Sequence, residues 1–175
     1  MSVKSLPAIA LAATTLAGGV ALAAQDRSTL KVPDGLSFSE FKGYEAWQPV
    51  AVSQTPGSLK QIAANPAMIE AYRKGLPADG KTFPDGSKVV KIEWASKANP
   101  VSPYAVQVPG DIKTIAFIEK DLKRFPKTHG WAYAIFDYDT SSKTLKPRGT
   151  GADCGYACHS KVAVQDYIFT AYPAR

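Results

Sequence analysis

Two cysteines and a histidine near the carboxyl end are the residues whose types and spacing point most directly to chemistry: Cys154-Gly155-Tyr156-Ala157-Cys158-His159. Two thiols followed directly by an imidazole are read as the c-type haem attachment signature. On a helical turn, residues i and i+4 share a face, so both thiols can add to the two vinyl groups of one haem while His159 stands beneath the iron as its proximal, metal-binding ligand. Gly155 and Ala157 are small enough to let a porphyrin approach the backbone, and Thr150-Gly151-Ala152-Asp153 offers a turn and a cap for the helix start. Other uses of a close cysteine pair fit less well. A thioredoxin-like pair belongs early in a βαβ unit, a zinc site needs a second ligand pair that this sequence lacks, and a disulfide leaves the adjacent histidine unexplained.

The sixth coordination position has two candidates, Met68 and His129, and both precede the haem motif. Small electron-transfer cytochromes place the motif early and the axial Met late, the reverse of the order here. Met68 sits in a short helix expected over Pro66–Lys74, where Met68, Ile69 and Tyr72 make an apolar stripe that suits core packing. His129 lies in a turn before a strand, where it reads equally well as a surface histidine. The expectation is a five-coordinate iron with an open distal face, which binds or transforms small molecules.

At the other end, residues 1–23 read as a secretory signal: Lys4, then an uncharged stretch from Leu6 to Val20, then Ala21-Leu22-Ala23 as a cleavage pattern. The apolar run is broken by Thr14-Thr15 and Gly18-Gly19 and falls short of the ~20 apolar residues of a membrane span. The expectation is a chain that starts at Ala24, a single domain over residues 24–175, soluble in a periplasm and without membrane attachment after cleavage. The 175 residues, 45% apolar and 21% charged, suffice for one compact core, and 13 Pro with 13 Gly argue against a long-helix bundle. With Lys4 set aside, 20 Lys and Arg face 15 Asp and Glu. The nearest approach to a basic run is Lys120, Lys123, Arg124 and Lys127, interrupted by Asp121. No stacking aromatics interleave with it, so it reads as a solvated surface rather than a nucleic-acid site, and an anionic partner stays open.

Between the ends, Ser37–Trp47 is expected to be a helix, and strands are expected at Gln48–Gln54, Leu59–Ala64, Ser87–Ala95, Tyr104–Val108, Ile112–Glu119 and Trp131–Tyr138. A turn is expected near Asp121–Phe125, and Thr140–Gly151 reads as a polar loop well placed to line the haem pocket. The fold class is therefore α+β and β-rich, a mainly antiparallel sheet with short flanking helices and a C-terminal haem helix. In Lys88-Val89-Val90-Lys91-Ile92-Glu93-Trp94, alternation puts Val90, Ile92 and Trp94 on one face and Val89, Lys91 and Glu93 on the other. Periodicity alone sends that second face to solvent.

Several segments together resemble the cytochrome P-460 family, which includes cytochrome c'-beta. They are Asn65-Pro66 leading into Tyr72-Arg73-Lys74-Gly75, Phe83-Pro84-Asp85-Gly86-Ser87 running into Val89-Val90-Lys91, and Lys120 to Phe125. Gly130-Trp131-Ala132-Tyr133 follows, then Cys154 to His159, Asp166-Tyr167-Ile168-Phe169 and Tyr172-Pro173. The resemblance implies a β-rich homodimer holding a five-coordinate c-type haem. The P-460 enzymes convert hydroxylamine, with nitric oxide, to nitrous oxide and need an electron acceptor such as a soluble cytochrome c. The c'-beta proteins bind nitric oxide and carbon monoxide. In the enzymes a lysine is also bonded to the haem edge, and Lys91 occupies the matching place, which reverses the solvent reading; burial beside a macrocycle favours the neutral amine such a bond needs. The resemblance further implies a distal carboxylate, for which Asp153, Glu93 and Asp139 are candidates in that order, or an aromatic cap from Phe83 or Tyr133. Lys60 stands where the family often has Arg, and the loop Gly75–Lys81 is longer than usual.

Overall fold

The computed structural model describes residues 25–33, 35–148 and 152–173, with backbone alone for 152–154. The signal reading of residues 1–23, the start at Ala24 and the turn at Thr150-Gly151 lie outside the described residues.

Runs rich in Val, Ile and Thr, punctuated by Gly and Pro, form six strands in one antiparallel sheet. These are β1 (Gln48–Thr55), β2 (Ser58–Ala64), β3 (Lys88–Ala98), β4 (Gln107–Lys120), β5 (Trp131–Asp139) and β6 (Thr144–Pro147). Spatial order equals sequence order, so each strand pairs with its neighbour along the chain. Pro56-Gly57 closes the first hairpin, with Gly57 at φ +74°, a value that favours glycine. Two short helices, α1 (Pro66–Arg73) and α2 (Ala152–His159), and several 3-10 turns flank the sheet, which bears out the β-rich α+β expectation.

Four local expectations need correction. Ser37–Trp47 is not a helix but two 3-10 turns, Phe38–Phe41 and Tyr44–Ala46, separated at Gly43 with φ +84°. Three-residue spacing of Phe38, Phe41 and Tyr44 suits a turn in which i and i+3 eclipse, so all three rings reach the sheet. The strands expected at Tyr104–Val108 and Ile112–Glu119 are replaced by one continuous β4, because extra residues on β4, at Lys113 and between Pro109 and Ile112, are taken up as bulges around Trp94 of β3. Inside the expected loop Thr140–Gly151, β6 pairs with β5 as an edge strand ending on Pro147. Lys120, expected in a solvated basic run, is 1% exposed.

The register sorts the sheet into two faces. On one, Val90 with Phe117, Ile115, Ala134 and Phe136 meets the amino-terminal residues Val32, Leu36, Phe38, Phe41 and Tyr44. Phe41 stacks on Phe117 at 4.2 Å, and Phe38 stands edge-on to Phe117 at 5.1 Å and to Phe136 at 5.2 Å. At the rim of this face Lys88 lies 3.3 Å from Glu119 and donates to the Glu40 carbonyl, while Arg124 pairs with Glu40 at 2.7 Å.

The opposite face carries Ile62, Ala64, Val89, Trp131 and Tyr133, packed by α1 and the carboxyl-terminal segment. Asn65 fixes α1 there. Its side-chain oxygen accepts from Met68 N in the first turn and from Lys88 N at the start of β3, and its amide donates to Gly86 O. Helix and strand thus share one cap, and the parity of β3 is set at its first residue.

Candidate functional site

Beyond that start, Val90 and Ile92 join the closed core and Trp94 is half-buried, which turns Lys91 to the other face. There a cavity of about 440 Å³ opens between the sheet and the carboxyl-terminal segment. Its walls include Ala51, Ile62, Val89, Lys91, Ala116 and Ile118 from the sheet, with His159, Ile168 and Phe169 facing them. Lys91 and His159, from distant parts of the sequence, therefore line one space.

His159 is the last residue of α2. Its Nδ1 lies 2.6 Å from the Tyr167 carbonyl oxygen, a distance at which Nδ1–H donates and Nε2 keeps its lone pair. The Tyr133 ring at 4.8 Å and the Phe169 ring at 4.9 Å bracket the imidazole. α2 docks on Tyr133 at Gly155, where a Cβ would overlap the tyrosine ring. Burial pushes His159 below its ordinary value, the Tyr167 carbonyl opposes this, and the Lys91 charge adds to the lowering. The imidazole is thus kept in the neutral form that ligates metals.

Burial likewise lowers Lys91, with the charges of Glu93 and Cys158 opposing and those of Lys60 and Arg148 assisting. Lys91 has no ion-pair partner among the described residues. Lys60 lies in the same cavity wall and donates to Thr55 Oγ1 at 2.9 Å.

Cys158 is a free, exposed thiol beside His159, whereas the side chains of Cys154 and Asp153 lie outside the described residues. Three residues part the two cysteines, one more than in the Cys-x-x-Cys-His signature. The spacing is the i, i+4 step, and the backbone of both cysteines lies within α2.

The remaining candidates fall elsewhere. Glu93 is on the Lys91 face of β3 but outside the cavity wall, 3.5 Å from Lys113. Burial pushes Glu93 up, but a Ser58 hydrogen bond and the charges of Lys60, Lys113 and Lys91 together hold it below the usual range. Asp139 caps the β5–β6 turn, where hydrogen bonds from Ser141 and Lys146 hold it well below that range. Met68 is fully buried against Ile69, Tyr72 and Phe83, and His129 is exposed, stacked on Tyr167 at 5.0 Å; neither lines the cavity. Phe83 packs on Tyr72 and Trp131 in the core, and Tyr133 stands beside His159, so neither is a cap over the cavity. No described residue of the segment 140–151 lines it either. The aromatic that does is Phe169, whose only sequence signal is its place in an apolar pair soon after the haem motif.

A mostly apolar space, a neutral histidine with one nitrogen anchored and the other free, and a thiol beside it fit a haem. They define the class of haem-binding cytochromes. The sequence model of the Cytochrome P460 family matches residues 41–170, and the chain belongs to that family. Haem iron is accordingly its cofactor. No curated protein matches the chain.

Proposed function

We propose that this protein is an exported, periplasmic cytochrome of the hydroxylamine-oxidising kind, its haem bound covalently through Cys154 and Cys158 and ligated by His159. The observation that carries this reading is Lys91, half-buried without an ion-pair partner among the described residues, on the same cavity as His159. A lowered lysine spends more of its time as the free amine, the form able to bond to a porphyrin carbon. Bound haem would supply a redox-active iron able to take a small nitrogen-oxide ligand.

Conversion of hydroxylamine and nitric oxide to nitrous oxide and water releases one electron and one proton. The protein therefore needs an electron acceptor, such as a soluble cytochrome c, and a group to take the proton. Asp153 is the carboxylate nearest the haem cysteines in sequence, and Glu93 shares the Lys91 face of β3. His159 would ligate the iron, and Tyr133 and Phe169 hold its ring in place. The family resemblance supports a homodimer as the working unit.

A second reading is favoured by one observation: no Asp or Glu lines the cavity among the described residues. That suits a carrier or scavenger of nitric oxide and carbon monoxide. An electron-transfer cytochrome needs a second strong ligand, and neither Met68 nor His129 reaches the cavity.

One set of measurements separates the readings. Haem should survive acid extraction of the wild type, the ferrous band should lie to the red of an ordinary c-type haem, and intact mass should include the Lys91 bond. An ordinary ferrous spectrum with retained haem selects the gas binder, and pigment lost on extraction overturns covalent attachment.

A further inference from the structure

The carbonyl that anchors His159 is itself anchored. Asp166 and Tyr167 adopt φ +48° and +64°, two successive left-handed residues that are not glycine. The first of them is 4% exposed, and four hydrogen bonds converge on its carboxylate. Lys120 Nζ donates to its two oxygens at 2.7 and 2.6 Å, Phe83 N at 2.8 Å and Trp131 Nε1 at 3.3 Å. Lys120 is 1% exposed and lies 5.1 Å from the centre of the Trp131 ring.

These donors come from the end of β4, the start of β5 and the segment before β3, so the carboxylate is bolted to the sheet. One residue on, the Tyr167 carbonyl is delivered to His159 Nδ1. A buried ion pair is by itself weak evidence of stabilisation, because desolvation offsets the attraction. Its location gives it another task.

We propose that Lys120 and Asp166 are positioning residues for the proximal ligand. By fixing the left-handed pair they hold the Tyr167 carbonyl on Nδ1–H, which makes the imidazole a stronger donor to iron. The inference rests on the reading of His159 as the haem ligand.

The test uses the haem-loaded protein and its iron–histidine stretch in resonance Raman, together with its midpoint potential. Lys120→Met/Asp166→Gly removes both charges together and tolerates the left-handed backbone, leaving no unpaired buried ion. The stretch should move to lower frequency, the potential should rise as the ferric state loses donation, and turnover or gas affinity should change about 10-fold. Lys120→Met/Asp166→Asn restores an acceptor for Phe83 N and should return both readings part of the way; should the glycine variant fail to fold, this one carries the same test against the wild type. Glu119→Gln, which breaks the ion pair on the other face, should leave both at wild-type values.

A folded, haem-loaded double variant with wild-type stretch and potential overturns the proposal. Equal shifts in Glu119→Gln do so too, since the signature would then follow the loss of any ion pair in the sheet. Absence of any iron–histidine stretch in the wild type overturns the reading of His159 as the ligand of a five-coordinate iron, a distinguishable failure.

Discussion

Over one face of the sheet Phe38, Phe41 and Tyr44 fill the space above Phe117 and Phe136, while over the other Lys91 and His159 face a cavity of about 440 Å³. The same strands serve both, since neighbouring residues such as Val89 and Val90 are buried on opposite sides. A face kept open for a ligand cannot be filled by the chain's own side chains. The aromatic cluster on the other face supplies the dense packing, so one side is specialised for stability and the other for a ligand.

The sharpest way to break the comparison is a pair of substitutions on facing sides. Lys91→Ala should abolish hydroxylamine conversion and any red-shifted ferrous band, with haem still attached. Unfolding of the haem-free chain in denaturant should move by less than about 1 kcal/mol. Phe117→Ala should do the reverse, costing about 3–5 kcal/mol of stability and leaving the ferrous spectrum of the folded protein unchanged. A spectral change in the second variant would mean that the faces are not independent.

Gly155→Ala brings a methyl group against Tyr133 and should cost about 1–3 kcal/mol, with a displaced His159 ring visible as a broadened iron–histidine signature. The smallest effect concerns Glu119. Burial raises its carboxyl above 4.5 against the pull of Lys88, so the fold prefers the protonated form. That stability is present below 4.5 and is lost as pH rises through the raised value. Glu119→Gln should therefore gain on the wild type, by about 1 kcal/mol at most, as pH rises from about 4 to 7. Thermal melts at the two pH values check the sign.

Local pattern sorted the residues of the open face, but only the family resemblance turned that face from solvent to haem. Alternation in β3 set Lys91 opposite Val90 and Ile92, and the motif marked His159. On the closed face, Glu40 accepts from Ser37 N at 2.7 Å as at a helix start, so the sequence reads as helix where Gly43 imposes two 3-10 turns. Thr144–Pro147 is a polar edge strand ending in Pro, with little to separate it from a loop. Lys120 looked solvated because nothing near it in sequence announces Asp166. Phe169 and the Tyr167 carbonyl reach His159 only because two residues take left-handed conformations, which tertiary packing imposes and local propensity opposes.

The meander has a consequence for the order in which the molecule can be made. Every strand finds its partner next along the chain, so the sheet assembles through sequential closures, the longest spanning residues 65–87, and such closures are entropically cheap and fast. His159 meets the wall built by β1–β4 only when the chain returns past the whole sheet. The wall can stand while the last residues are still an unfolded tail. Docking of that tail then closes the cavity, so a ligand can be laid against the sheet before His159 arrives to face it.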